Sequence, residues 1–213
     1  MALLFVLAAA AAATQPVPTG IADPDIKGMV TQSEYPADAL ARGKSAAAAI
    51  EIRVDTEGRP QGCSVVRAIG DASLAKDICK ITLKKRYNPA RLRDGTPAFA
   101  VVTTMVRLYV PGTPDAQAVA AARLEPANVV KVASLRGGAS SEDVGLVIAV
   151  DPSARVVQCG PKAEEQRTIA EAICEKPDLF HPSVVTDAKG AAMPYIAETT
   201  VRVFAAADTP SRP

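Results

Sequence analysis

The second half of the chain repeats the first. VDTEGRPQGCS (Val54–Ser64) is echoed by VDPSARVVQCG (Val150–Gly160), 96 positions later. DICK (Asp77–Lys80) returns as AICE (Ala172–Glu175), RYNPA (Arg86–Ala90) as LFHPS (Leu179–Ser183), and MVRLY (Met105–Tyr109) as TVRVF (Thr200–Phe204). The order is kept throughout, and the offset drifts only between 93 and 96. Two copies of a unit of roughly 90 residues are too few for a solenoid, whose stacking needs about three. The pattern predicts two small domains in tandem.

The chain opens MALLFVLAAAAAATQP, with no charged side chain before Asp23. A run this short cannot cross about 30 Å of hydrocarbon as a helix, which takes ~20 residues. It fits the apolar core of a secretory signal, with Ala11 and Ala13 placed for cleavage before Thr14. Residues 1–13 are thus expected to be a signal peptide and 14–32 an N-terminal segment. A signal normally begins with Lys or Arg; a start further upstream would supply that charge, or turn the segment into an uncleaved anchor. A buried Ala-rich helix is the plainer alternative.

Export makes sense of the four cysteines. Each repeat carries two at matching positions, Cys63 with Cys79 and Cys159 with Cys174. Four cysteines permit three pairings, and the duplication favours the one that closes each unit on itself, strand to following helix. Closing such a loop stabilises by roughly 3 kcal/mol in the chain-entropy model, which matters where burial is thin. Zinc and redox-dithiol readings both lack a CxxC.

Charge is unevenly divided. From Asp23 to Pro111 there are 14 basic and 10 acidic residues, and from Gly112 onward 10 basic and 13 acidic. The halves are therefore not expected to share a ligand, and neither is basic enough for a nucleic-acid binder.

Within the first unit, PADALAR (Pro36–Arg42) reads as a short helix ended by Gly43. AIEIRVD then alternates, with Ile50, Ile52 and Val54 on one side of a strand. Thr56 to Arg59 turns the chain, and Gln61 to Arg67 returns as the partner strand. A second helix, capped by Asp71 or Ser73, carries Leu74, Ile78 and Ile81 as its apolar stripe. It is stopped at Tyr87-Asn88-Pro89. The last strand is Phe99 to Val110. Pro111-Gly112-Thr113-Pro114 marks the boundary, with 111–126 as linker and helix. The second unit, 127–206, then repeats the plan, preceded by a helix near Asp115–Leu124. It has strands near Asn128–Leu135 and Val144–Asp151, a return strand to Cys159, a helix at Glu164–Glu175 and a final strand at Met193–Ala205. A tail, 207–213, follows. Arg136-Gly137-Gly138 lacks the Lys and the context of a phosphate cradle and reads as a connector.

Taken in order, Tyr35-Pro36, IRVDTEGRP, a helix running into RYNPA, and a final apolar strand resemble the TonB C-terminal domain family over 33–110. The second unit resembles it more distantly, keeping Val150-Asp151 and Phe180-His181-Pro182. The resemblance implies an α+β fold: two tandem domains, each a three-stranded antiparallel sheet with two helices. It also implies a periplasmic, non-catalytic binding module without a cofactor. Its partner would be an envelope protein or peptide, such as the N-terminus of a TonB-dependent outer-membrane transporter. Such partners pair with an edge strand, and a sheet edge offers unpaired backbone groups for this. The peptide-binding residues expected on this basis are Tyr35, Pro36, Thr103, Thr104, Met105, Val106, Arg107, Leu108 and Tyr109. Two departures stand out. The energy-transducing members carry an uncleaved anchor and a long Pro-rich spacer, for which Gln15–Thr31 is too short, and Lys85 replaces the aromatic usual before Tyr-x-Pro. The rival reading is a non-transducing structural or adaptor protein whose sheet edges are blocked by the other repeat or by a homodimer.

Three other groups of residues could carry chemistry. Lys80, Lys84, Lys85, Arg86, Arg91 and Arg93 cluster near a helix C-terminus, where cations complement the dipole; an anionic ligand such as peptidoglycan is the alternative. His181 is the only histidine, with no nucleophile or carboxylate evident beside it, and a deep polar pocket around it would favour an enzyme. Glu164 and Glu165 fit a helix's first turn.

Overall fold

The computed structural model describes residues 31–92, 95–187 and 189–206. The expected signal peptide, most of segment 14–32, Arg93 and the tail lie outside the described residues. After helix α1 (Ala37–Ala41), β1 (Ala46–Val54) and β2 (Pro60–Gly70) form an antiparallel hairpin. Its turn is tied by the Asp55 carboxylate, which accepts the Glu57 and Arg59 backbone N–H groups at 2.9 and 2.8 Å, an Asx-turn arrangement. Of the two candidate caps, Asp71 acts: it accepts the Leu74 N–H at 2.8 Å and starts α2 (Ala72–Thr82). Helix α2 lays Leu74, Ala75 and Ile78 on Ala48, Ile50 and Ile52 of β1. A two-residue ladder, β3 (Ala90–Arg91) with β4 (Pro97–Ala98), precedes β5 (Ala100–Leu108), which pairs with β1.

The remainder comprises α3 (Ala116–Ala121), β6 (Asn128–Val132), β7 (Ser141–Val150), β8 (Val156–Pro161) and α4 (Arg167–Cys174). The short β9 (Val185–Thr186) and β10 (Ala192–Met193) precede the last strand, β11 (Tyr195–Ala205). Both expected disulfides form. Cys63–Cys79 ties β2 to α2 and Cys159–Cys174 ties β8 to α4, each with Cα atoms 5.5 Å apart.

The fold is α+β, but the strands do not form two separate three-stranded sheets. They make one seven-stranded sheet in the order β2-β1-β5-β11-β7-β8, with β6 also alongside β11. The join is a short parallel pairing, Ala100 opposite Ile196 and Val101 opposite Ala197. Its cause is apolar surface on both faces of β5's start. Phe99 and Val101 bury in the core beneath α4, while Ala100 and Val102 bury with Val147 and Ile196 on the opposite face. A strand apolar on both sides belongs inside a sheet, not at its margin.

The α2 core lies on one face of the sheet and the α4 core on the other, because Val101 sits on the opposite side of β5 from Val102. The helix expected to open the second unit also belongs elsewhere. Val119 of α3, with Ala122, covers Ala47 of β1 beside Ile69 and Met105, sealing the face of the first ladder that α2 leaves bare. The small outward side chains Ala47 and Ala49 require that cover.

Candidate strand-docking edge

Ile196 N–H donates to the Phe99 carbonyl at 2.9 Å. Because backbone groups alternate sides along a strand, this bond aims the N–H and C=O of Thr103, Met105 and Arg107 away from β1. The registered pairing with β11 stops at Val101, and among the described residues no other strand pairs with β5's outer side. From Thr103 onward this edge is therefore open.

A groove of about 310 Å³ lies at the far end of the open edge, lined by Thr31, Tyr35, Leu40, Arg107, Leu108, Tyr109, Val110 and Pro111. Leu40 is 51 % and Tyr109 47 % exposed. Tyr35 is fixed in its wall by donating its hydroxyl to the Lys44 carbonyl, and burial pushes that phenol's pKa up. Val106 and Leu108 turn toward the α2 core, while the Arg107 guanidinium donates to the Ala122 carbonyl, tying β5 to the end of α3. The structure thus gathers Tyr35, Arg107, Leu108 and Tyr109. Pro36 precedes α1 and is not part of the groove lining. Thr103 and Thr104 sit at the opposite end of the edge, beside Leu124, Glu125 and Ala127. Sequence reasoning missed Leu40, whose signal was a large aliphatic in a five-residue helix with no apolar partner at helical spacing.

Lys85, the departure from the family's aromatic, has a structural role. Its Nζ lies 2.5 Å from Glu34 Oε1, clamping the segment before α1 to the end of α2. The hydrogen bond from Lys85, with those from Thr31, holds the Glu34 carboxyl down at about 2 against an ordinary 4.5. A depressed folded-state pKa contributes stability that is present above the unfolded value and lost as pH falls through the folded one. The clamp should therefore weaken between about pH 4.5 and 2. Carboxyl NMR should place the Glu34 midpoint near 2, and Lys85→Met should return it toward 4.5; an unmoved midpoint near 4.5 in the parent chain would show that no clamp forms.

Three members of the basic cluster have partners within the chain. Lys80 is paired with Asp77 and Lys85 with Glu34, and Arg91 donates to the Gly95 carbonyl. His181 lines a cleft of about 430 Å³ with Glu51, Arg53, Thr103 and Glu198, where β5 and β11 diverge. Arg53 faces Glu51 at 3.5 Å, and among the described residues no hydrogen bond or ion pair joins His181 to a carboxylate or hydroxyl. Nothing there orients the ring as a base. Glu164 is held by Arg167, whose guanidinium lowers its pKa, and Glu165 stands beside it in a short 3-10 turn ahead of α4.

No curated protein and no solved structure matches this chain. The family model for the Gram-negative bacterial TonB protein C-terminal matches residues 31–107, which takes in α1, both strands of the first hairpin, α2 and β5 as far as Arg107. Residues 31–107 are therefore what this chain has in common with the TonB C-terminal family.

Proposed function

We propose that this protein is a non-catalytic, periplasmic binding module that captures an extended segment of an envelope protein on the open half of β5. The family match supports the class of partner, with TonB-dependent outer-membrane transporters the first candidates. The observation that carries the reading is local. β5 loses its neighbour at Val101, keeps outward backbone groups at Met105 and Arg107, and has an apolar groove with two large exposed side chains beside it. Main-chain hydrogen bonds would supply affinity and the groove would select side chains. No helix among the described residues is long and apolar enough to cross a membrane.

The adaptor reading keeps one observation in its favour. β11 pairs with the first two positions of β5 at Ile196 and Ala197, and with β6 from Val201 to Ala205. On that reading the join itself is the purpose of the edge, and peptidoglycan or a second copy of the chain would be the ligand.

An NMR titration of the intact, oxidised chain with peptides from transporter N-termini separates the two. Shifts at Thr103–Tyr109, Tyr35 and Leu40 are expected, whereas silence at millimolar peptide would leave the adaptor reading. Met105→Pro sharpens the test. Its N–H points away from β1, so the internal ladder should survive, as proline is tolerated at such positions. Binding should vanish while the chain stays folded; undiminished binding would place the peptide elsewhere.

A further inference from the structure

The two halves of the sheet correspond strand by strand, so a feature that spans both occurs twice. Val54 faces Ala100 in the first ladder and Val150 faces Tyr195 in the second. The first pair is buried on the α2 side of the sheet and the second under α4. Each face therefore carries a pocket between the long hairpin of one half and the short ladder of the other. On the α4 face, Arg53, Asp55 and Gln61 of the β1–β2 hairpin meet Asp187 and Lys189 around about 480 Å³. On the opposite face, Ala149, Asp151 and Val157 of the β7–β8 hairpin meet Leu92 and Pro97 around about 420 Å³.

Register identifies the counterparts. Arg53 pairs with Val101 and Gly62 as Ala149 pairs with Ile196 and Gln158. Gln61 and Val157 are the extra residues of matching bulges, each at the shift just before Val54 or Val150. Leu92 N–H donates to the Thr96 carbonyl as Asp187 N–H donates to that of Ala191, each at 2.9 Å. Thus Arg53, Gln61 and Asp187 in one pocket stand where the other has Ala149, Val157 and Leu92. The same architecture accepts arginine, glutamine and aspartate at these positions, so folding does not demand apolar residues there. Yet Val157 is 59 % and Leu92 37 % exposed, and exposed aliphatics gathered in a concavity of this size are the mark of a ligand site.

We infer that this second groove binds a linear hydrocarbon chain, the alkyl or acyl tail of a single-chain amphiphile, with the head group in solvent. Its floor is the in-register row Ile196, Ala149 and Gln158, which crosses β11, β7 and β8 over about 10 Å at the usual strand spacing. Ala98 packs on Ile196 at one end, and Val157 belongs to β8 at the other. A narrow floor of this length suits a chain. Charge complementarity sets the rest of the chemistry. Asp151 is the only charged side chain of the lining, and it is engaged in its own turn. It accepts the Ser153 and Arg155 N–H groups at 2.8 and 3.0 Å and the Arg155 guanidinium at 3.2 Å. The groove thus offers a ligand apolar contact and no ionic anchor. A second copy of the chain does not fit it, because a two-fold contact would set one concavity against another. The site is separate from the open edge of β5, and neither reading rests on the other.

The probes are octyl, decyl and dodecyl maltoside and sodium decanoate, each below its micelle concentration, titrated into the intact, oxidised chain with methyl groups observed by NMR. Shifts are expected at Leu92, Val157, Met193 and Ile196. Affinity should rise about threefold with each added methylene, and decanoate should match decyl maltoside within about threefold. The double variant Leu92→Asp, Val157→Gln carries the residues of the matching pocket, so its thermal transition should stay in place while binding weakens at least about tenfold. Equal affinity across the chain lengths, undiminished binding in the double variant, shifts spread equally over Val66 and Val184, or no shifts at all would overturn the inference. Shifts of the same methyls on concentrating the chain alone would assign the groove to a second copy and overturn it equally.

Discussion

Replacing Cys63 and Cys79 with serine should lower stability by about 3 kcal/mol, and removing the Cys159–Cys174 bridge should cost a similar amount, since loops of about 15 residues are closed in each case. The form of the unfolding curve matters as much as its midpoint. Phe99 and Val101 from the first ladder are buried in the core under α4, and Val147 and Ile196 from the second are buried against Ala100 and Val102. A shared core couples the two halves, so either bridge should shift one cooperative urea transition. Two separable transitions, only one of them moved by each bridge, would show that the halves fold independently and that the β5–β11 join contributes little.

Gly58→Ala is expected to be the most damaging single-methyl change in the first unit. Gly58 has φ +79°, and a Cβ there would stand 1.8 Å from the Tyr87 carbonyl oxygen. The same approach is held by Tyr87 N–H donating to the Gly58 carbonyl at 2.8 Å, so hairpin turn and post-helix loop cannot separate without losing that bond. The left-handed backbone alone costs an alanine about 1–2 kcal/mol, and the displaced loop and lost bond should bring the total to roughly 2–4 kcal/mol. The second hairpin gives the internal control. Ala154, 96 positions on, already holds φ 58°, so the conformation by itself is tolerable and the close contact decides. Gly112→Ala, at φ +80° with no atom within 4 Å, should cost only the backbone part. Equal losses at 58 and 112 would remove the contact argument.

Much of the local structure is legible in the sequence because it depends on neighbours along the chain. Alternation at Ile50, Ile52 and Val54, the Asp71 cap and both disulfides follow from spacing and from the duplication, whereas α2 ends at Thr82, ahead of the stop expected at Tyr87-Asn88-Pro89. The joining of the sheets is not local, yet its signal is present. Ala98 to Val102 (AFAVV) is an unbroken apolar run rather than an alternating one, as expected of a strand covered on both faces, and Gly145 to Val150 (GLVIAV) is another. The alternation template fitted to Ile50–Val54 hides this. The placement of α3 was not readable, because its few apolar residues fit either ladder and only the uncovered Ala47 face selects one. The candidate edge was half legible. MVRLY marked the strand, but which part of it remains free depends on where β11 stops pairing.

Amide hydrogen exchange along β5 in the free, oxidised chain tests the central claim without any ligand. If the edge is open past Thr103, the amides of Met105 and Arg107 should exchange at least about a hundredfold faster than those of Thr104 and Val106, which bond to β1 inside the ladder. The Arg202 and Phe204 amides of β11, which lie within the β6 pairing, should be as protected as those of Val201 and Val203. Uniform protection from Ala100 to Leu108 would mean that the edge is already covered, and would contradict the account.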